Sequence, residues 1–249
     1  MFTDSHCHLY KEYYDDIQGV LNLSKESKVN RYINNGCDKS TNEEVVSLVK
    51  KYHNMYGTLG IHPEYVDQYT LEDIKFISDN IDNPKIIAIG EIGLDYHYTK
   101  VNREKQIDLF ELQLKMAEEN NIPVIIHSRE ATLDTINILK KYNVTGIIHS
   151  FSGSLETAKE YIKMGYLIGV NGVITFKNSN VKNVIKEIPL EYIVLETDSP
   201  YLTPEPNRGR QNNPSHILDI AKFVGDLKNI NLDELSKITN NNIKKLFNI

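Results

Sequence analysis

Residues 85–95 read KIIAIGEIGLD, an apolar run followed by isolated polar residues. The run, Lys85–Ile89, is continuous, rich in isoleucine and closed by Gly90. A short continuous apolar run of this kind is typical of a strand that is buried on both faces of a parallel sheet. The polar residues that follow it, Glu91 and Asp95, are therefore expected near the carboxyl end of a strand.

The same pattern recurs along the chain, because each apolar run gives way to a break and then to a helical pattern. Eight strands are predicted from these runs: Met1–Asp4, Arg31–Asn34, Gly57–Ile61, Lys85–Ile89, Pro123–Ile126, Gly146–Ile148, Tyr166–Val170 and Tyr192–Leu195. Eight strands alternating with helices over 249 residues predict an α/β fold, a (β/α)8 TIM barrel that forms a single domain over residues 1–249. An open doubly wound sheet is the structural alternative, but it usually has fewer strands, and the chain has no glycine-rich phosphate loop.

Helical patterns fill the gaps between the predicted strands. Over residues 102–121, apolar residues recur at three- and four-residue spacing, which is typical of an amphipathic helix. Two more helices are predicted after the last strand, near 215–226 and 232–247. Two helix starts carry capping residues, a hydroxyl followed by an acidic side chain. These are Thr70 with Asp73, and Ser40 and Thr41 before Glu43 and Glu44.

Composition excludes several classes of protein. Apolar residues make up 40% of the chain and charged residues 25%, which is ordinary for a globular protein and too apolar for intrinsic disorder. The mean hydropathy of −0.40 and the lack of a long apolar run argue against a transmembrane helix. The first ten residues, MFTDSHCHLY, lack the basic and apolar regions of a secretory signal.

Net charge and cysteine content limit the kinds of nucleic-acid binding and the cellular compartment that are expected. A net charge of −6 argues against a broad basic surface that coats nucleic acid, but not against an enzyme that binds a phosphodiester in one local site. Bound metal ions would supply positive charge there. The two cysteines, Cys7 and Cys37, are too few for a disulfide framework, so a cytoplasmic location is expected.

Polar residues of the types that bind metals follow six of the predicted strands. In a barrel the carboxyl ends of the strands form one face, where active sites are built. His6 and His8 are two positions apart, and on a strand such residues point to the same side, so both imidazoles can reach one ion. Any single one of these residues is more often structural, and the metal prediction rests on their recurrence. The residues are His6, His8, His62, Glu91, Asp95, His127, His149 and Asp198.

These strand ends lie within short motifs that are spread over nearly the whole chain: DSHCHL, GIHP, GEIGLDY, PVIIHSR, HSFSG and ETDSPYLTP, with NRGRQNNP at residues 207–214 as a further block. In this order the motifs resemble the signature blocks of the TatD family of metal-dependent hydrolases, within the amidohydrolase-like superfamily. The resemblance implies a (β/α)8 barrel, a centre of two divalent metal ions and deoxyribonuclease activity.

Carried over by position, the resemblance also implies the ligands of both ions. The first ion is assigned His6, His8 and Asp198, the second His127 and His149, and Glu91 bridges the two. Catalytic roles are predicted for Asp198, as ligand and proton acceptor, and for Glu91. Imidazole and carboxylate ligands suit Zn, Mn, Co, Ni or Fe, and Mg is an alternative under assay conditions.

Substrate contacts are predicted at His62 and in the NRGR segment. In the resemblance GIHP lies at the pocket, so His62 is expected to help hold the substrate phosphate; the alternative is a turn histidine held extended before a proline. Arg208 and Arg210 are candidate phosphate contacts, ahead of Arg129 and Lys177, because a cation on a loop suits an anion.

Two residues beside the predicted ligands have other expected roles. Asp95 either orients a metal ligand from outside the coordination shell or caps the next helix. Cys7 lies between His6 and His8, and the alternation of side chains along a strand turns it into packing as an inert thiol.

The predicted reaction is hydrolysis of DNA phosphodiester bonds by metal-activated water, from a strand end. DNA is then a transient partner, and neither a membrane nor an obligate protein partner is predicted. An amidohydrolase or phosphotriesterase-type hydrolase of a small molecule stays open, because the fold and the metal count do not separate these reactions. A non-catalytic metal-stabilised scaffold is the third alternative, although the chain has a residue that can bind metal at all six predicted ligand positions.

Overall fold

The computed structural model describes residues 1–97 and 102–249. Over these residues the chain forms eight strands, each at one of the predicted runs: β1 (Phe2–Cys7), β2 (Val29–Asn35), β3 (Met55–Leu59), β4 (Ile86–Asp95), β5 (Val124–Arg129), β6 (Gly146–Ile148), β7 (Leu167–Val170) and β8 (Ile193–Leu195).

Nine α-helices lie in the same described ranges, and the three predicted above are among them. The helices are α1 (Ile17–Glu26), α2 (Lys39–Lys51), α3 (Leu71–Asn80), α4 (Arg103–Glu119), α5 (Thr132–Leu139), α6 (Leu155–Lys163), α7 (Val181–Glu187), α8 (Ile217–Lys228) and α9 (Leu232–Phe247). Among these helices, none combines the length and the apolar character that crossing a membrane requires.

The strands form one sheet in chain order, from β1 to β8. Neighbouring strands such as β4 and β5 pair in parallel, and Ser199, just after β8, forms a parallel bridge with Cys7 of β1. Parallel strands in chain order, each followed by helix and with the last returning to the first, make a (β/α)8 barrel. The predicted barrel is therefore confirmed, and the doubly wound alternative is wrong.

Three strands continue for three or more residues past the carboxyl ends of the predicted apolar runs. Strand β1 continues to Cys7, β4 to Asp95 and β5 to Arg129. Polar side chains interrupt the apolar pattern there although the backbone stays paired, as Asp95 with Arg129 shows. The predicted metal ligands that consequently lie within strands are His6, Glu91 and His127.

The chain divides into two compact units. The first comprises Met1–Asn34, Ser150–Ile162 and Leu167–Ile249, and the second comprises Asn35–His149 and Lys163–Tyr166. Strands β1, β7 and β8 belong to the first unit, as does β2 except for Asn35. Strands β3 to β6 belong to the second unit.

In the first unit, α9 packs on β1 and β8. Leu235 and Ile243 of α9 are buried, and Asn242 donates to the carbonyl oxygens of Leu190 and Ile193, both at 2.8 Å. The amide thus satisfies backbone groups at the start of β8, which fixes the strand that leads to Asp198.

In the second unit, buried amide side chains from helices hold the backbone near the strand ends. Gln113 of α4 accepts from the Ile61 N–H at 2.7 Å and donates to its carbonyl at 3.1 Å. Gln106 makes the same pair with Asp95, at 2.9 Å in both directions. Asn42 of α2 binds both backbone groups of Gly60. Helix and strand end are therefore joined by hydrogen bonds as well as by apolar packing.

The helix caps agree with the sequence prediction at one of two positions. Thr70 is the N-cap of α3, and its N–H donates to the Asp73 carboxylate at 2.8 Å, so this cap is confirmed. The cap predicted from Ser40 and Thr41 before Glu43 and Glu44 is wrong in its residues. Asp38 is the N-cap of α2, and it exchanges hydrogen bonds with Thr41, both at 2.9 Å, because an aspartate carboxylate is a preferred acceptor for helix N–H groups.

Candidate metal centre

A first cluster of ligand-type side chains lies in the first unit. The Nε2 atoms of His6 and His8 are 3.1 Å apart, and Oδ1 of Asp198 lies 3.7 Å from the former and 3.5 Å from the latter. His6 is fully buried and His8 nearly so, whereas the Asp198 side chain is 14% exposed. The three ligand atoms therefore face one another, and the Asp198 side chain is the most exposed of the three.

Backbone hydrogen bonds between β1 and the segment after β8 position this first cluster. The Asp198 N–H donates to the His6 carbonyl at 2.9 Å, and the His8 N–H donates to the Ser199 carbonyl at 2.8 Å. Asp198 has a φ of +57°, a conformation that aspartate and asparagine tolerate better than other side chains. A strand end and a left-handed turn thus bring residues from opposite ends of the chain together.

Cys7 lies on the other side of β1, as the strand alternation predicts. Its side chain is buried, and Sγ donates to the Ile33 carbonyl at 3.4 Å. Burial raises the pKa of the thiol well above its ordinary value. A buried neutral thiol agrees with the expected packing role.

Asp4 supports the first cluster and was missed by the sequence analysis, in which it only ended an apolar run. Its carboxylate accepts from the Thr197 N–H at 2.9 Å, from the Thr197 hydroxyl at 2.6 Å and from the His6 N–H at 3.3 Å. Burial raises the pKa of Asp4 to about 8, against the hydrogen bonds from Thr197, which lower it. Asp4 thereby ties the strand that carries His6 to the segment that carries Asp198.

A second cluster lies in the second unit, around the buried carboxylate of Glu91. Oε1 of Glu91 is 3.0 Å from Nδ1 of His127 and 3.8 Å from Nε2 of His149. The rings of His127 and His149 are stacked, with centroids 6.4 Å apart. Cys37, to which the sequence analysis gave no site role, donates its thiol to Oε2 of Glu91 at 3.9 Å. Both carboxylate oxygens are therefore engaged by side chains of this unit.

His62 contacts the second cluster and also caps a turn. Its Nδ1 accepts from the Glu64 N–H at 3.2 Å, and its backbone is extended, as expected before a proline. Because Nδ1 accepts, the neutral ring carries its proton on Nε2, which lies 3.7 Å from Oε1 of Glu91. His62 thus offers an N–H donor rather than a lone pair, which suits an anionic oxygen better than a metal.

Asp95 lies against His127 and does not cap the next helix, because α4 begins after Asn102. Its Oδ2 is 2.9 Å from Nε2 of His127, and Oδ1 accepts from the His97 N–H at 2.9 Å. Burial lowers the pKa of His127, but the hydrogen bonds to Asp95 and Glu91 outweigh it and raise the pKa to about 9. Asp95 therefore holds the imidazole with Nδ1 directed at Glu91, the orientation that a carboxylate–histidine–metal arrangement needs.

We expect Asp95→Asn to weaken divalent-metal binding at the second cluster by about 10- to 100-fold. An asparagine NH₂ group facing Nε2 would move the ring proton to Nδ1, the atom that faces Glu91. Calorimetric titration of metal into the apo-protein measures the change, and Asp79→Asn, on an exposed face of α3, is the matched control. An unchanged affinity in Asp95→Asn would show that His127 needs no such orientation.

The basic candidates lie on exposed loops, except Arg129, which is the last residue of β5. The guanidinium of Arg208 stacks on the ring of Phe176, 4.0 Å from its centroid. The charge of Arg210 acts on the nearby His216. Burial lowers the pKa of this histidine, Asp219 raises it, and Arg210 lowers it further. Arg129 and Lys177 are exposed as well. The structure thus gives both arginines of the NRGR segment an exposed position, while their predicted phosphate contacts stay predictions.

The donor atoms of both clusters fit divalent cations. Ligand atoms about 2.1 Å from one ion are about 3.0–3.4 Å from each other, in octahedral or tetrahedral geometry. The separations are 3.1–3.7 Å in the first cluster. In the second, His127 is 3.0 Å and His149 is 3.8 Å from Oε1 of Glu91, so the shorter distances match this spacing and the longer ones exceed it by a few tenths of an ångström. Imidazole nitrogen together with carboxylate oxygen suits first-row transition metals and zinc.

Comparison with known proteins agrees with this chemistry. The family model described as TatD related DNase matches residues 3–248. The uncharacterized metal-dependent hydrolase YabD of Bacillus subtilis (strain 168) is 40% identical over 254 residues, which cover 100% of both chains. The crystal structure of YjjV, a TatD homologue from Escherichia coli K12, matches with a TM-score of 0.95 and 30% identity, covering 100% of this chain and 98% of that one.

A more distant structure, a hydrolase TatD family protein from Entamoeba histolytica, matches with a TM-score of 0.88 and 25% identity over 99% of this chain and 97% of that one. The family match spans nearly every residue, and the motifs that suggested it supply the two clusters described above. The chain belongs to the TatD family of metal-dependent hydrolases.

Proposed function

We propose that this protein hydrolyses the phosphodiester bonds of DNA with two divalent metal ions, from a strand end. The observation that carries the proposal is the pair of imidazole–carboxylate clusters, in which ligand atoms approach to 3.1 Å and 3.0 Å. The printed description of the matching family, TatD related DNase, supports DNA as the substrate. A cytoplasmic location is part of the proposal, and the free thiols of Cys7 and Cys37 support it because a reducing compartment keeps cysteines reduced.

Each cluster would hold one ion, with His6, His8 and Asp198 at the first and His127 and His149 at the second. By the sequence resemblance, Glu91 would be the ligand that both ions share. Bound divalent ions supply positive charge to phosphate oxygens and lower the pKa of water.

Side chains of the site would accept a proton, donate a hydrogen bond to the phosphate and contact flanking phosphates. Asp198, whose carboxylate reaches solvent, accepts the proton of the attacking water. His62 donates its Nε2–H to a phosphate oxygen, in keeping with its tautomer. Arg208 and Arg210 contact flanking phosphates from their exposed loop.

Metal content is the first testable consequence. We expect elemental analysis of the purified protein to find zinc or a first-row transition metal at both clusters, because four imidazoles disfavour magnesium. Chelation should abolish hydrolysis, and adding back the same metal should restore it. Preparations that hold no transition metal, or activity that survives chelation, would contradict the four-histidine assignment.

The substrate is tested with one metal-loaded preparation and four compounds: single-stranded DNA, a chromogenic phosphodiester, a phosphotriester and a cyclic amide. We expect hydrolysis of the first two, and mononucleotide release from an end-labelled strand. Turnover of the triester or the amide with DNA left intact would replace the phosphodiester assignment by the small-molecule alternative. A metal-loaded protein that is inert toward all four would favour the non-catalytic scaffold.

A further inference from the structure

Three tyrosines form a group beside the first cluster, and no role has yet been assigned to them. The ring centroid of Tyr10 lies 5.7 Å from that of His8 and 6.0 Å from that of Tyr13. Tyr201 lies 5.9 Å from Tyr13 and 6.4 Å from His8 in edge-to-face arrangements. These separations are those of interacting aromatic pairs, so the tyrosine group and a predicted metal ligand form one continuous aromatic surface.

The tyrosine group is held in place by hydrogen bonds. The Tyr201 hydroxyl donates to the Tyr13 hydroxyl at 2.9 Å, and the Tyr201 N–H donates to the Asp198 carbonyl at 2.8 Å. The segment that follows the NRGR residues holds both backbones. Gln211 donates to the Tyr13 carbonyl at 2.7 Å, and Asn212 donates to the Tyr201 carbonyl at 2.5 Å. The rings are therefore fixed before any ligand arrives, which lowers the entropy cost of binding one.

Exposure separates Tyr201 from the rings that support it. Tyr10 is 2% exposed, whereas Tyr201 is 50% exposed. Packing within the group accounts for the buried ring but leaves half of the surface of Tyr201 in water. An exposed, immobilised ring three positions after a predicted metal ligand is available to stack on a planar group of the substrate.

The net charge of the chain indicates which kind of planar group stacks on Tyr201. A net charge of −6 gives little overall attraction for a polyanionic strand. Binding of a nucleic acid then depends more on contacts that are not ionic, and base stacking on an aromatic side chain contributes about 1–3 kcal/mol per base. Both faces of an internal base in a duplex are covered by its neighbours, so the ring meets an unpaired or terminal base.

We propose that Tyr201, supported by Tyr13 and Tyr10, forms a stacking subsite for an unpaired nucleobase next to the phosphodiester that is cleaved. This inference rests on the proposed function and deepens it, because it makes a base, and not only a phosphate, part of what is recognised. Tyr201 is thus a specificity-determining residue.

The test compares two substrates of equal length, a short single-stranded thymidine oligomer and the same backbone without bases. We expect the wild-type protein to have the higher kcat/KM on the oligomer with bases. Tyr201→Leu should reduce that preference by about 5- to 150-fold, since one stacked base contributes about 1–3 kcal/mol. Tyr201→Phe keeps the ring and should retain the preference. Tyr142→Leu, a partly exposed tyrosine outside the group, is the matched control.

A second readout does not depend on turnover. Fluorescence anisotropy of the labelled oligomers with metal-depleted protein should show the same loss of base-dependent affinity in Tyr201→Leu, and circular dichroism checks that each variant is folded. Wild-type protein that cleaves both oligomers equally well, or Tyr201→Leu that keeps the full preference, overturns the stacking subsite and leaves the proposed function intact. Wild-type protein that cleaves neither contradicts the proposed function itself, and equal anisotropy affinities for the two oligomers then also overturn the subsite.

Discussion

The Glu91→Ala variant is expected to lose more than about 10²-fold in kcat for phosphodiester hydrolysis. Losing a residue that only orients a metal ligand costs about 10- to 100-fold, and Glu91 is a predicted ligand itself. Its carboxylate is also the acceptor that lies 3.0 Å from His127 and 3.7 Å from His62. Alanine removes both this acceptor and the negative charge that offsets bound cations.

The barrel should survive the Glu91→Ala substitution. The backbone N–H of Glu91 still donates to the Gly36 carbonyl at 2.8 Å, and β4 keeps its backbone pairing with β5. The measurement is single-turnover kinetics with metal content verified for each preparation. Glu119→Ala, on an exposed position of α4, is the matched control. Turnover near that of the wild type in a fully metal-loaded Glu91→Ala protein would refute the assignment of Glu91.

Asp198→Asn is the second substitution with a large expected effect, again a loss of more than about 10²-fold in kcat. Asparagine has nearly the same shape and tolerates the left-handed backbone at φ +57°, so the change removes charge and basicity without adding strain. The amide is a weak ligand and does not accept the proton of an attacking water.

Asp198→Asn should also weaken metal binding at the first cluster, because it removes the carboxylate from the three ligand atoms of that cluster and leaves the imidazoles of His6 and His8. Metal titration monitored together with activity separates the two effects, since excess metal restores occupancy but not the missing base. Asp226→Asn, exposed on α8 of the same unit, serves as control. Full activity of Asp198→Asn at saturating metal would remove Asp198 from the proton-transfer role.

Most of the fold was predictable because its strands are buried on both faces. Continuous apolar runs mark such strands directly, and all eight lie where the runs do. The predicted carboxyl ends of the strands were less accurate, because β1, β4 and β5 carry polar side chains within the strand. A residue that serves a site looks, in the sequence alone, like the beginning of a loop.

The two clusters were predictable in part for a similar reason. Strand alternation places His6 and His8 on one side, and parallel strand ends gather residues from distant parts of the chain. Asp4, Cys37 and Tyr201 were not predictable as site neighbours. A buried acid, a thiol and an exposed ring have many possible partners, and only the folded backbone decides which partner each contacts.

The two glutamines of α4 limit the substitutions that this chain can accept. Gln106 and Gln113 are about two helical turns apart, and each binds both backbone groups of one residue near a strand end. The spacing of those two anchor points is set by the helix repeat and not by the bulk of the apolar side chains around it. Divergence of the chain is therefore constrained at Gln106 and Gln113, because losing either amide would remove the partner of two backbone groups in the segments that follow Glu91 or precede His62.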